Sequence, residues 1–369
     1  MASRILALIV KELLAVLRDP RSRVLLIGPP LIQLFVFSFA ATLEVRNVEV
    51  GILNQDQGRG GWEIVQRIAA AATFTRLDDL RGVQEIRPYI DGGRGLLVVH
   101  IPQDFSRRIV RGDEGKVQVI LDGRRSNAAQ IVEGYLQRMV TEISAEYVAA
   151  NGLPPPATEL ITRHWFNPNL TYTWFTVPGL VGIITMLIGL IVTALSVARE
   201  RELGTFDQLL VSPLQPWEIV LGKTLPAMLI GAAEGTVILL AAILVFRIPL
   251  NGSLALLYLA MLVFLAAIVG VGLFISALSS TQQQALLGAF TFMVPGTLLS
   301  GFATPIQNMP EWLQLVTVAN PLRWFLVVVR GVFMKGLPPE QVLANTWPMA
   351  VIAAVTLTGA ALLFRWRLE

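Results

Sequence analysis

ARERELGTFDQLLVSPLQPWEIVLGKT, Ala198–Thr224, gathers charge, a glycine, a threonine and two prolines between two long apolar runs. It is too short to be a domain, so it reads as the bend between two consecutive membrane spans. Gly204 follows a helix that carries the preceding span out through Arg199–Glu202, and a glycine there accepts the left-handed conformation that ends helices. Thr205 and Gln208 have the Thr-x-x-Gln spacing of a capping box, so a new short helix begins at once. Phe206, Leu209 and Leu210 give that helix one apolar face, with Asp207 and Gln208 off it. Pro213 ends it, and Pro216 is placed as the first residue of the next span, where a missing amide costs nothing. The stretch is a stiff helix lying across the spans, or a tight turn that only reverses the chain; the pattern leaves both readings open.

Outward from the bend the chain is apolar. It has 369 residues, 54% hydrophobic and 15% charged, with a mean hydropathy of +0.62, more than a soluble chain of this length needs to fill a core. Six runs are long enough to cross a bilayer core of about 30 Å as helices. They are Val24–Leu43, about 174–198, about 217–246, Leu254–Leu278, about 284–302 and Met349–Phe364. The expected fold is an α-helical polytopic membrane protein with six transmembrane helices and a mixed α/β extracytoplasmic domain inserted between the first and second spans. Its parts are 1–44 (an interfacial helix and the first span), 45–170 (the inserted domain) and 171–369 (five spans).

Arg4, Lys11, Arg18, Arg21 and Arg23 precede the first span, Arg199, Arg201 and Lys223 lie in the bend, and Arg365 and Arg367 end the chain. Basic residues collect on the inner side, which places both termini and the bend in the cytoplasm and the 45–170 insert outside. Residues 1–23 have the spacing of an amphipathic helix in the inner interface, with Lys11 and Glu12 breaking any signal-peptide core. In the insert, NVEVGILNQD, GRGLLVVHIP and KVQVILDG read as strands, and GWEIVQRIAAAA, DFSRRIVRG and the run from Ser126 to Ala150 as helices. About 120 residues suffice for an independent core. Cysteine is absent and the histidines are His100 and His164 alone, which excludes disulfides, thiolate catalysis and His/Cys metal cages; the scattered basic residues speak against nucleic acid.

The segment RERELGTFDQLLVSPLQPWEIVLGKTLPAMLIG resembles the signature of the ABC type-2 exporter permeases, an Arg/Glu-rich run followed by G-T-x-x-x-L-L-x-(S/T)-P and P-x-E-x-x-x-G-K. A second block, SGFATPIQNMPEWLQLVTVANPLRWFLVVVRGVFMKG at 300–336, is similar to the family's external segment after the fifth span, with T-P-I-x-x-M-P, N-P and R-G in order. The resemblance covers nearly the whole chain and implies the membrane subunit of a multidrug-type ATP-driven exporter. It would pair with a second permease, identical or homologous, and with separate ATPase subunits that use ATP and magnesium; the chain itself would bind no cofactor and have no enzymatic activity. The size of the inserted domain adds, by analogy, a periplasmic adaptor to these partners and the membrane lipid. The helix near 199–215 would be the coupling element seated on the ATPase, with Arg199, Glu200, Arg201, Glu202, Gly204, Thr205, Asp207 and Gln208 forming it and Glu200, Arg201, Glu202 and Asp207 at the contact. The cargo would be amphiphilic, drug-like or lipid-like.

Gly222, Lys223 and Thr224 imitate the end of a nucleotide-binding loop, but Trp217 stands where the loop's first glycine belongs and a span follows. Within the spans, Gln33 and Glu234 are the polar residues to weigh. A carboxylate in hydrocarbon marks a pathway or relay, or else is neutral and hydrogen-bonded across a helix interface. With Pro305, Met309 and Pro310 at the outer mouth, these are the candidate pathway residues, and the breakers around 300–336 fit two short re-entrant helices. Two other classes share parts of the pattern. A receptor with an external sensor domain would place a signalling domain in the cytoplasm, where only short segments occur; a secondary transporter would show two related halves.

Overall fold

The computed structural model describes residues 2–40, 48–150, 166–167, 171–205 and 215–366. The chain divides into two compact units, Thr42–Arg163 and a second one made of Met1–Ala41 with His164–Glu369.

The second unit begins with α1 (Ala2–Arg18) and α2 (Pro20–Phe35), the latter running into a π-helical turn at Val36–Ala40. On α1, Leu8 and Glu12 are buried one turn apart, while Leu6, Val10, Leu14 and Leu17 are exposed. The helix thus has a packed stripe and a separate apolar face left open.

Unit Thr42–Arg163 is an α/β layer structure. Its strands are β1 (Val48–Asn54), β2 (Phe74–Asp79), β3 (Leu97–Ile101) and β4 (Gln118–Leu121), in the sheet order β2-β1-β3-β4. The first three strands are parallel and β4 runs antiparallel to β3. The helices are α3 (Arg59–Ala70), α4 (Ile86–Asp91), α5 (Phe105–Val110) and α6 (Ser126–Ala150). Side chains alternate along each strand, so the sheet has two apolar faces. Val50, Ile52, Leu97 and Val99 pack with Ile64, Ile68, Phe105, Val132 and Leu136 of α3, α5 and α6, whereas Leu53 and Val98 pack with Ile86 and Tyr89 of α4. The sequence reading located β1, β3, β4, α3, α5 and α6 but passed over β2, whose Arg76, Asp78 and Asp79 hide a strand at the sheet edge.

The helices after residue 171 are α7 (Tyr172–Glu202), α8 (Pro216–Leu244), α9 (Leu254–Leu278), α10 (Gln282–Leu298), α11 (Glu311–Val316), α12 (Pro321–Arg330) and α13 (Pro339–Trp366). α7 is the axis of the unit: Thr176–Ile191 is buried without a break, which explains why it is apolar on every side. Phe264 of α9 and Phe325 of α12 stack face to face, with ring centroids 4.4 Å apart.

Among the described residues, four helices can cross a membrane by length and apolar character: α7, α8 from Trp217, α9 and α13 up to Leu363. A fifth is added if Glu311–Ala319 and Pro321–Lys335, bent by 83°, count as one broken span. The six expected spans therefore meet a shorter tally. α2 has 16 residues and α10 has 17, which at 1.5 Å per residue is less than the roughly 30 Å of a bilayer core. Pro29, Pro30 and Pro295 lie inside these two helices, where each removes a backbone donor. The last run, read as Met349–Phe364, is part of a longer helix that starts at Pro339.

Candidate functional site

The bend between α7 and α8 is where the charged residues of this unit converge. α7 ends in a complete left-handed cap. Gly204 has φ +70°, its N–H donates to the Arg201 carbonyl, and the N–H of Thr205 donates to the Glu200 carbonyl at 2.9 Å. α8 starts as Pro216 dictates, at its first residue, and gains a second device: the Gln215 N–H donates to the Glu218 carboxylate at 2.9 Å, closing a capping box. The intervening residues 206–214, with the expected positions Asp207 and Gln208, lie outside the described residues.

The four charges Arg199–Glu202 each hold different neighbours. Arg199 pairs with Asp19 at the junction of α1 and α2, at 3.1 Å. Glu200 accepts from Lys11 of α1 at 2.7 Å and faces Lys223 of α8 at 2.8 Å. The Arg201 guanidinium donates to the carbonyls of Ala277 and Ser279, capping the C-terminus of α9. The Glu202 carboxylate accepts the N–H of Gln282, the first residue of α10, at 2.9 Å.

Lys223 lies at the centre, its side chain wholly buried. Its Nζ donates to Glu12 at 2.9 Å and to the Ser196 hydroxyl at 3.0 Å, and the Ser196 hydroxyl donates to the other Glu12 oxygen at 3.2 Å. Two lysines, Lys11 and Lys223, meet two glutamates, Glu12 and Glu200, so the cluster is neutral and each buried charge has an opposite neighbour. Gly222 makes this possible. A Cβ there would lie 2.7 Å from Leu8 Cγ, so only glycine lets α1 come near enough for Glu12 to reach Lys223. The G-K pair is thus a helix crossing with a charge clamp beside it. Beside the clamp, a cavity of about 280 Å³ opens between α1, α2 and α7, walled by Ala15, Val16, Leu26, Ile191 and Leu195.

Within this chain the Glu200 carboxylate is 7% exposed and engaged by two lysines. Arg201 and Glu202 hold helix ends, Glu202 from an exposed position, and at the described edge of the bend Leu203, 66% exposed, faces outward. Sequence reasoning missed Lys223, Glu12 and Ser196 as a unit. Their signal was opposite charges inside two otherwise apolar helices, but residues 12 and 223 are joined only by the fold.

The candidate pathway residues lie on separate elements. Gln33 is half-buried on α2, and Pro305, Met309 and Pro310 flank a 3-10 turn at Ile306–Asn308. Glu234 is half-buried on α8 and, among the described residues, has no hydrogen bond or ion pair.

Residues 24–362 match the family described as ABC-2 family transporter protein. The chain is 47% identical over 366 residues to the probable multidrug ABC transporter permease YbhR of Escherichia coli (strain K12), covering 99% of each. It is 32% identical to the probable multidrug ABC transporter permease YbhS of the same organism, over 93% of this chain and 91% of that one. The inner membrane transport permease YhhJ, also of Escherichia coli (strain K12), is 29% identical over 75% of this chain and 74% of its own.

Proposed function

Because the chain belongs to the ABC-2 transporter family, and so is a membrane subunit of an ABC exporter, we propose that the bend between α7 and α8 couples it to a separate ATPase. The observation that carries this reading is the set of partners of Arg199–Glu202: one tetrapeptide grips α1, α8, the end of α9 and the start of α10. A push on the bend is thereby shared among helices that would otherwise move separately, which is what a mechanical link between a rigid partner and tilting spans requires. Leu203, at the described edge of the bend, meets the ATPase, and Arg199, Glu200, Arg201, Glu202, Gly204 and Thr205 transmit its movement inward.

In this reading the bend and both termini are cytoplasmic, at the inner membrane, and the open apolar face of α1 lies in the lipid interface. α2 and α10 complete a six-span arrangement with help from their neighbours, since short or interrupted helices are tolerated in a membrane when other helices cover the freed backbone groups. Unit Thr42–Arg163 stands outside the membrane, and two permeases assemble with two ATPase subunits. The cargo is an amphiphile, by likeness to relatives named as multidrug permeases. Glu234 faces a wet route or the second permease, as an unpartnered carboxylate in hydrocarbon is expensive.

The test uses the absence of cysteine from the chain. A single cysteine placed by Leu203→Cys, treated with a short cross-linker in membranes that hold the ATPase, should join the two subunits. A cysteine placed by Val110→Cys, on an exposed position of the other unit, should not. Equal cross-linking at both, or none at 203, would remove the coupling role from the bend.

A further inference from the structure

Arg330, the last residue of α12, has no part in the coupling reading, yet it is a cation whose buried donors are left unsatisfied. Its guanidinium carbon lies 3.8 Å from the centroid of Phe175 and 5.6 Å from that of Phe302. Nη1 donates to the Gly301 carbonyl at 3.4 Å, while Nε and Nη2 are buried with no partner. Among the described residues no carboxylate pairs with it. Arg323, two turns earlier on the same helix, is by contrast bonded to the Gln314 carbonyl and the Thr317 hydroxyl.

Two features show that room is made for this charge. A Cβ at Gly179 of α7 would lie 3.3 Å from Nη2 and 2.6 Å from the Phe302 ring, so glycine there admits both groups. Phe37 then meets Phe302 edge to face at 6.4 Å, and Tyr172 stands beside Phe175 at 6.3 Å, so the guanidinium lies among aromatic rings. An apolar side chain would pack on the same rings without the cost of burying a charge, so anchoring alone does not account for arginine. The cation–π contact offsets only part of that cost.

The two unpartnered donors specify a ligand. Nε and Nη2 lie on one edge of the guanidinium and form the fork that takes the two oxygens of a carboxylate or phosphate side-on. The rings around it supply an apolar wall. We propose that Arg330 receives the anionic head group, phosphate or carboxylate, of an amphiphile whose apolar part lies against Phe37, Phe175 and Phe302. The Gly301 carbonyl that Nη1 contacts belongs to the turn after α10, where Gly301 has φ +83° and Ala303, Thr304 and Pro305 are exposed, and binding displaces that turn. That the amphiphile is the exported cargo rests on the exporter reading; the site itself does not.

The test is equilibrium binding of labelled dodecyl phosphate to the full chain in nanodiscs of zwitterionic lipid, without the ATPase and with empty nanodiscs as blank. Binding should be saturable, about tenfold or more weaker in Arg330→Gln, and intermediate in Arg330→Lys, which keeps the charge and loses the fork. It should be little affected by excess dodecyltrimethylammonium. Equal affinity in Arg330→Gln and the parent chain, or equal affinity for the cationic amphiphile, would overturn the proposal. If Arg330→Gln does not insert, Phe302→Leu should weaken dodecyl phosphate several-fold with no effect on inorganic phosphate, and unchanged dodecyl phosphate binding would count as refutation. Nanodiscs containing phosphatidylglycerol separate the sources: competition identifies a bilayer lipid as occupant, and a raised KM of Arg330→Lys for ATP-driven dodecyl phosphate export identifies cargo. Because binding is read without the ATPase, failure of the coupling experiment leaves this one intact.

Discussion

Lys223 is held by Glu12 and Glu200, and losing either side of such a buried set is more damaging than never having it. Lys223→Met should destabilise the membrane unit by about 3–5 kcal/mol, because two carboxylates are left facing each other with Lys11 alone to balance them. The triple change Lys223→Met, Glu12→Gln, Glu200→Gln should recover most of that loss, as read by thermal aggregation of the detergent-solubilised chain. Nucleotide binding by the complex with its ATPase should be the same for Lys223→Met and the parent, since the lysine faces helices rather than a phosphate loop. Gly222 gives a second test at this scale. Gly222→Ala should push α1 off α8 through Leu8, and Leu8→Ala should rescue it, giving a coupling energy of about 0.5–3 kcal/mol in the double-mutant cycle.

At the scale of elements, local chemistry was readable and long-range chemistry was not. The stop at Gly204 and the start at Pro216 follow from φ preferences that a residue carries with it, and both stand where the sequence put them. The partners of Arg199–Glu202 do not, because Lys11 and Glu200 are 189 positions apart and nothing in either neighbourhood names the other. Helix lengths failed for a related reason. An apolar run such as Val24–Leu43 shows that a segment avoids water, but the helix there begins ahead of the run, at Pro20, and passes into a π turn at Val36 after two internal prolines. The cap itself can be tested. Gly204→Ala places a Cβ in the left-handed region at a cost of about 1 kcal/mol, and should speed hydrogen exchange at the amides of Leu203–Thr205 with no change in the middle of α7. Uniform acceleration along α7 would mean that the bend and the span unfold together.

For the molecule as a whole, the division into two units has a thermodynamic consequence, since Thr42–Arg163 has its own two-faced sheet and its own core. Its alternating strands made an α/β insert legible, whereas the edge strand β2, with its charged residues, escaped the pattern. The fragment 42–163 should therefore be soluble and unfold in one cooperative step, and two buried groups set the pH range in which it does so. Burial would raise the Asp56 carboxyl, but the Ser106 hydroxyl and the N–H groups of Ser106, Gly61 and Gly58 outweigh it and hold the group below the usual carboxylate range. A carboxyl lowered on folding contributes stability that is complete above its unfolded value, about 3.9, and is lost as the pH falls through the folded one. Tyr89 moves the other way, pushed up to about 12 by burial and by Asp78. Its phenol is neutral below about 10 in both states, and between about 10 and 12 the unfolded chain ionises first, so stability declines there. The melting temperature of the fragment should be flat from about pH 5 to pH 9 and fall on both sides. Asp56→Asn should lower the plateau and flatten the acid limb, and Tyr89→Phe should flatten the alkaline limb. An acid limb of the same slope in Asp56→Asn would show that other carboxylates, such as Glu146 in its pair with Arg67, control acid unfolding of this unit.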